Sequence, residues 1–512
     1  MIWKPNSTAQ TDAPQTNRLV MVLVLLLVFL MAARTPLDTD LWWHLRAGET
    51  TLQSGYPMLT DTLSFTRYGD AWINHSWLSQ VALALIFRVG GYLGLSLTVA
   101  LTAAASMAIL YRQMAGPALF RAFIVLLATV VAAVVWSPRP QIFSLLFLAV
   151  CSLLLDDYRR YGKNRLWLLP PIFVLWSNLH GGYPLGLMVM GAYFAGEIVD
   201  SLFADAGQRQ VHWRRLKTLL LLLVACSLAV AINPNGAAMW RIPFQTVGVG
   251  ILQSAIPEWA SPDFHDLVQQ PFPWLLLLTV AGFALSGRRA AGADWISVVI
   301  FAASGLMARR NFGPFAMVAA PILSRHLWDA VDAFRQAHPG VFASRTGSVP
   351  QRPAPAFLKK AINLTLVGLI GFIAIVKLFV VSQPQFVRAY EANVFPVQAV
   401  EWLKAHPEPA AAPAGNLFNA YAWGGYLTWA YPELPVFVDG RTDLFGDEII
   451  SQWLTVVEGG EGWRDILNRW DINVVMVEPD RPATALLVEN GWRQVYADST
   501  AVIFLRDVEN GR

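Results

Sequence analysis

Residues 19–48 read LVMVLVLLLVFLMAARTPLDTDLWWHLRAG, and the change of character inside this stretch decides the fold. Leu19–Ala33 is an unbroken apolar run, close to the roughly 20 residues that cross a hydrocarbon core. Asp38-Thr39-Asp40-Leu41-Trp42-Trp43-His44 follows at once. Leu41, Leu45 and Thr51-Leu52 recur at helical spacing, which predicts a helix lying along the membrane interface. Trp42 and Trp43 suit that depth, where an apolar ring and a polar N–H are both served. The stretch therefore reads as a span that delivers an acidic outer loop.

The rest of the chain carries the same signature. Of 512 residues, 55% are hydrophobic and 14% charged, against roughly 25% charged in soluble domains. Tyr92–Tyr111, Leu119–Trp136, Ile142–Leu155 and Leu219–Ile232 are further runs with almost no charge. Both cysteines, Cys151 and Cys226, fall inside apolar runs and read as small hydrophobes. The first run has a polar leader with Lys4 and Arg18, and Ala32-Ala33 resembles a cleavage site. The many spans that follow favour an uncleaved helix.

The net charge of +3 says little, because the distribution of Lys and Arg sets orientation. Basic clusters fall at Arg112/Arg121, Arg159-Arg160-Lys163-Arg165, Arg209–Lys217, Arg288-Arg289 and Arg325–Lys360. Placing all of them on the cytoplasmic side gives about eleven spans: 18–33, 92–111, 119–136, 141–156, 166–179, 183–203, 217–232, 272–286, 294–307, 312–327 and 361–381. Ser76–Arg88 is short for a crossing and reads as an interfacial helix. The expectation is an α-helical polytopic membrane domain, residues 1–381, with a long first outer loop at 34–91. Residues 338–356 read as a cytoplasmic linker.

Residues 382–512 differ. Pro435–Val438 and Val474–Val477 have strand length, and Val397–Ala405 and Trp463–Trp470 are amphipathic. Gly424-Gly425, Asp439-Gly440 and Gly459-Gly460 punctuate them as turns. This is a small α/β domain on the extracytoplasmic side.

Candidate chemistry collects at the outer mouth. Asp38 and Asp40, with His44, suit a general base or a metal site; the competing reading makes Asp40 a helix N-cap. His75, in Trp72-Ile73-Asn74-His75-Ser76-Trp77, suits sugar recognition or a packed loop. Arg309-Arg310 lies at an outer span end and needs an anion, either a lipid phosphate or a carboxylate such as Glu258 or Asp263. Arg139, between two prolines, is a third candidate. His180, in Asn178-Leu179-His180-Gly181-Gly182, and Glu258 complete the set. No P-loop, dinucleotide fingerprint, H-E-x-x-H or zinc-type cysteine pair is present, and no basic–aromatic stripe points to nucleic acid.

Together these residues resemble the GT-C-type, polyprenyl-phosphate-dependent glycosyltransferases, such as the protein mannosyltransferases and aminoarabinose transferases. The likeness is nearest to a bacterial membrane-protein group with an Asp-x-Asp-Leu-Trp-Trp-His-Leu start, an Asn-Leu-His-Gly-Gly segment and a late Arg-Arg pair. Trp423-Gly424-Gly425-Tyr426-Leu427 and Phe437-Val438-Asp439-Gly440-Arg441 extend it into the C-terminal domain. The resemblance implies a bacterial plasma-membrane enzyme with a cytoplasmic N-terminus. It implies that Asp40 or Asp38 deprotonates an acceptor, which is a glycan, lipid or protein. Arg309, Arg310 or Arg139 would hold the leaving phosphate of the lipid donor, and His44, His75, His180 and Glu258 would contact substrate. A divalent metal is left open. Two readings compete: a ligase or polymerase of lipid-linked glycans, and a non-enzymatic transporter or assembly factor. Mid-membrane charge, which a transporter needs, is sparse.

Overall fold

The computed structural model describes residues 14–248, 250–251, 256–338, 355–407 and 416–506. Most of the linker expected at 338–356 and the leader around Lys4 lie outside them. Helices follow in the order α1 (Pro14–Ala32), α2 (Leu41–Ser54), α3 (Trp77–Gln113), α4 (Ala118–Ala132), α5 (Gln141–Tyr161), α6 (Leu169–Leu179), α7 (Pro184–Leu202) and α8 (Ala206–Val230). A short α9 (Ile242–Gly248) precedes α10 (Pro271–Leu285), α11 (Gly292–Met307), α12 (Phe312–Ala337) and α13 (Ala356–Val381). Among the described residues, six helical segments are long and apolar enough to cross a membrane: Gln15–Ala32, Trp77–Gln113, Ala118–Val135, Gln141–Tyr161, Pro184–Leu202 and Ala356–Val381. Leu166–Leu179, Pro271–Leu285 and Gly292–Met307 are shorter apolar helices. The chain is a multi-pass membrane protein.

At 37 residues, a straight α3 would run roughly 55 Å, far beyond a hydrocarbon core of about 30 Å. Gly91 resolves this. Its φ of 53° and ψ of −145° break the helix in a region that favours a residue without Cβ. The Ser76–Arg88 segment is thus a helical arm turned away from the span that follows it. The arm packs on α2, where Leu83 and the α2 residues Leu41 and Leu45 share one core.

That same core belongs to the C-terminal half. Trp42 is 1% exposed and meets Phe395 and Tyr426 edge-on, with ring centroids 6.0 and 5.6 Å apart. The amphipathic α2 is therefore covered by the C-terminal region, and Trp42 is a core residue there. Truncating a buried Trp of this kind costs about 3–5 kcal/mol.

The C-terminal region opens with α14 (Pro384–Val394) and α15 (Val397–Ala405). A four-stranded sheet follows, with strands β1 (Asn416–Asn419), β2 (Ile472–Val477), β3 (Trp492–Ala497) and β4 (Val502–Arg506) in the order β1-β2-β4-β3. β1 runs parallel to β2, while the β2–β4 and β3–β4 pairs are antiparallel. Helices α16 (Tyr421–Ala430), α17 (Thr442–Val457), α18 (Trp463–Arg469) and α19 (Pro482–Glu489) complete it. Pro435–Val438 forms no regular strand. Val436 instead makes an isolated bridge to Ser64 of the loop between α2 and α3, with Val436 N–H donating to the Leu63 carbonyl at 3.1 Å. A segment of strand length and composition has thus been spent on joining the loop to the domain.

Candidate active site

Three loops and one helix end converge beneath the C-terminal region. Asp38 and Asp40 precede α2, Arg139 precedes α5, Glu258 lies in the loop before α10, and Arg310 follows α11. The centre is Arg139. Its Nη1 donates to Asp40 Oδ2 at 2.6 Å and its Nη2 to Glu258 Oε2 at 2.7 Å. Its Nε is 3.4 Å from Asp38 Oδ1. Arg310 Nη1 stands 3.7 Å from the other Glu258 oxygen, and its guanidinium lies 4.0 Å from the centre of the Trp259 ring.

Asp40 makes no side-chain capping bond to α2. Its Oδ1 accepts from Trp43 Nε1 at 3.2 Å, while its own N–H donates to Asp38 Oδ1 at 3.0 Å. The capping role is replaced by aim: Asp38 braces the backbone of Asp40, and Trp43 and Arg139 hold its two oxygens. The C-terminal region closes over it. A Cβ on Gly440 would lie 1.9 Å from Asp40 Oδ1, so only glycine permits this approach.

The charges are unequal. Burial raises the Asp40 carboxyl to about 6 although 19% of the side chain stays exposed; Arg139 pulls it down, and Asp38 and Glu258 push it back up. Glu258 goes the other way: burial would raise it, but Arg139 and Arg310 hold it near 2. Burial alone would lower Arg139, yet Asp38, Glu258 and Asp40 together hold it well above its ordinary value. Arg310 is lowered, because Glu258 only partly offsets its burial. One carboxylate is thus basic near neutral pH, and one arginine is short of countercharge.

The histidines surround this centre. His44, one helical turn after Asp40, is 5% exposed and its Nδ1 is 3.5 Å from Gln80 Nε2. Burial keeps it neutral, well below its usual range, with Arg139 adding to the effect. His180 is likewise held neutral by burial, then by His75 and Arg310. Its Nδ1 accepts from the Gly182 N–H at 3.1 Å and lies 2.7 Å from Ser144 Oγ, which places the proton on Nε2. The His75 and His180 rings are 6.0 Å apart. His75 Nδ1 is 3.9 Å from Asp443 Oδ2, an oxygen that also accepts from Trp72 Nε1 at 3.3 Å.

Arg309 is the member left aside. Its backbone N–H donates to the Ala260 carbonyl, its Nε is buried without a partner, and among the described residues it forms no ion pair. Asp439 and Arg441, from the C-terminal stretch that carries the family likeness, are fully buried. Arg441 donates to Asp439 and, at 2.6 Å, to Asp61 of the first loop, so they fasten loop to domain. Sequence reasoning missed Tyr421, whose phenol is raised well above its usual value by burial and then by Asp40 and Glu258. It also missed Trp43 as a ligand of Asp40. The i, i+3 spacing of Asp40 and Trp43 was the available signal. Tyr421 had none, since Asp40 and Glu258 lie far from it in the sequence.

The three carboxylates converge on the Arg139 guanidinium, and among the described residues no group of three metal-ligating side chains forms.

No family model matches the chain, and no curated protein matches it in sequence. Solved structures do match. The apo oligosaccharyltransferase of Archaeoglobus fulgidus is 12% identical, covering 89% of this chain and 69% of that one, with a TM-score of 0.51. The same enzyme in complex with Zn and sulfate is also 12% identical, covering 94% and 73%, with a TM-score of 0.50. ArnT from Cupriavidus metallidurans bound to undecaprenyl phosphate aligns at 13% identity over 97% and 99%, with a TM-score of 0.49. At this identity the likeness is one of fold: the chain has the fold of the archaeal oligosaccharyltransferase.

Proposed function

We propose that the protein is a membrane glycosyltransferase that moves a sugar from a polyprenyl-phosphate donor to an extracytoplasmic acceptor. The observation that carries this reading is the inequality at the outer cluster: a raised carboxyl, Asp40, held within one guanidinium of an under-compensated arginine, Arg310. Asp40 takes the proton from the acceptor hydroxyl or amine. The acceptor heteroatom bonds to the anomeric carbon as the bond from that carbon to the phosphate oxygen breaks, and the electron pair leaves with the phosphate. A base with a pKa near 6 suits that step at neutral pH.

The leaving phosphate needs cations that are fixed before charge develops. Arg310 and Arg309 have N–H groups to spare, whereas Arg139 is engaged by three carboxylates. We therefore assign Arg139 to positioning Asp40 and Glu258, and the arginine pair to the phosphate. His75, His180 and Asp443 lie around the centre and suit sugar hydroxyls. The fold shared with an oligosaccharyltransferase supports this class of reaction without naming the sugar. We place the protein in a bacterial plasma membrane with about eleven crossings, its N-terminus inside and the cluster outside.

The test is release of polyprenyl phosphate by the purified full chain in lipid nanodiscs. A panel of labelled polyprenyl-phosphate hexoses and pentoses is offered with membrane lipid, glycan and peptide acceptors. Acceptor-dependent release from at least one donor is the expected result; release from none overturns the reading.

A further inference from the structure

The Asn178-Leu179-His180-Gly181-Gly182 segment and the buried amides around His44 are left unused by the transfer step. Both serve one purpose: each fixes the ring proton of a histidine beside the cluster.

For His44 the control starts at Asn74. Asn74 Oδ1 accepts from the Ser76 N–H at 3.3 Å and its Nδ2 donates to the Met58 carbonyl at 3.1 Å, so the backbone settles which end of the amide is which. Asn74 then pairs with Gln80 in both directions. Its Nδ2 donates to Gln80 Oε1 at 2.8 Å, and Gln80 Nε2 donates to Asn74 Oδ1 at 2.9 Å. The second Gln80 Nε2–H is left for His44 Nδ1, at 3.5 Å. A proton on Nδ1 would face an N–H, whereas a bare Nδ1 accepts one, which leaves the imidazole proton on Nε2. Gly48 permits the approach, because a Cβ there would lie 2.2 Å from the Gln80 carbonyl oxygen.

His180 is set in the same sense by different groups. Trp176 Nε1 donates to Ser144 Oγ at 2.8 Å, and the Ser144 hydroxyl proton goes to His180 Nδ1 at 2.7 Å. The Gly182 N–H meets the same nitrogen. A Cβ on Gly182 would stand 2.4 Å from Ser144 Oγ, which accounts for the second glycine of the segment. His75 has no such anchor: its Nδ1 is buried without a hydrogen bond, 3.9 Å from Asp443 Oδ2.

Two Nε2–H groups are thus left over. Among the described residues neither meets an acceptor, and neither is sealed from solvent. The Arg139 guanidinium acts on both rings, and His44 follows Asp40 by one turn, with its N–H on the Asp40 carbonyl at 3.2 Å. An imidazole nitrogen that carries its proton is a donor only. That separates both histidines from the base, Asp40, and suits them to lone pairs on the substrate.

We propose that His44 and His180 are preset Nε2–H donors that hold oxygen atoms of the transferred sugar, hydroxyl or acyl, and that Gln80 is the positioning residue for the His44 proton. The sugar contact rests on the transferase reading above; the tautomers do not.

The experiment uses the full chain in lipid nanodiscs with isotope-labelled histidine. At neutral pH the ring-nitrogen NMR spectrum of wild type should show a bare Nδ1 and a protonated Nε2 for both residues, assigned by their loss in His44→Gln and His180→Gln. Gln80→Glu turns a carboxylate toward His44 and should place a proton on its Nδ1, with His180 unchanged. In the donor-release assay His44→Gln, whose amide N–H reaches the Nε2 position, should keep KM within about threefold. His44→Asn, whose amide stops at the Nδ1 position, should raise KM about tenfold, the loss of one hydrogen bond. An Nδ1–H or an imidazolium at either residue in wild type, or a His44 Nδ1 still bare in Gln80→Glu, overturns the tautomers; the wild-type spectrum decides alone if Gln80→Glu does not fold. Equal KM in His44→Gln and His44→Asn overturns the sugar contact. Release from no donor by wild type overturns the transferase reading and the sugar contact with it, while the spectrum still decides the tautomers.

Discussion

At the proposed active site one guanidinium, Arg139, serves three carboxylates; at the opposite ends of α5 and α11, three guanidiniums serve two. There Asp294 accepts from Arg159 at 2.7 Å, Arg160 at 3.0 Å and Arg325 at 3.4 Å. Asp156 accepts from Arg325 at 2.8 Å, Arg160 at 3.1 Å and the Tyr193 hydroxyl at 2.9 Å. Every carboxylate oxygen in that cluster is met by a cation, and all five charged residues lie on helices. At the proposed active site Asp38 reaches Arg139 only at 3.4 Å, Asp40 is pushed up to about 6, and the residues come from loops. The same residue types build a closed lock in one place and an unbalanced, adjustable centre in the other. Buried pairs stabilise poorly against apolar alternatives but are costly to break, so the lock fixes helix positions while the open cluster retains chemical potential.

The sharpest break of this comparison is Asp294→Asn. It strips the lock of one countercharge and should cost about 3–5 kcal/mol of stability, read as a lower melting temperature in detergent. Donor turnover per folded molecule should stay near wild type. Arg139→Gln should differ in activity: it too lowers the melting temperature, because three carboxylates lose their shared partner, but it adds a rate loss on the order of 10²–10³ per folded molecule, typical of removing one fixed electrostatic group. Equal rates per folded molecule in the two variants would erase the distinction.

Gly440→Ala probes aim rather than charge. The added Cβ must displace Asp40, and a misplacement of about 1 Å costs up to about 10²-fold in rate, with the fold retained as judged by its melting profile. The smallest effect is in pH. Asp40 rises from 3.8 to about 6, so the folded state binds its proton more tightly than the unfolded chain does. Its contribution to stability is present below pH 4 and is lost as pH rises through 6. The base is ionised only above that value, so kcat/KM should fall as pH drops through about 6. A profile flat to pH 4.5 would remove Asp40 from the step.

Much of this was legible in the chain itself. The apolar runs and basic clusters point to the helices, since period and composition are local properties. Asp38, Asp40, Arg139, Glu258 and Arg310 were legible as charges at outer span ends, and the structure brings them into one network. What was hidden depends on tertiary packing. Trp42 looks like an interfacial anchor because its neighbours in sequence are membrane-like, and only the return of Phe395 and Tyr426 makes it a core residue. Val436 has the composition of a strand, but its partner, Ser64, belongs to the first loop. Asp439 and Arg441 look like exposed turn residues until Asp61 is brought to them. Arg309 and Arg310 are equivalent in sequence, and only backbone geometry turns one toward Glu258.

The most direct measurement compares wild type with Asp40→Asn in the polyprenyl-phosphate release assay, at pH 7.5 (about 1.5 units above the Asp40 value), with melting temperature recorded on the same samples. Loss of general-base catalysis predicts a fall of about 10²–10⁴ with an unchanged melting temperature, because the isostere keeps the packing around Trp43 and Gly440. Release at the wild-type rate by the folded variant would contradict the account.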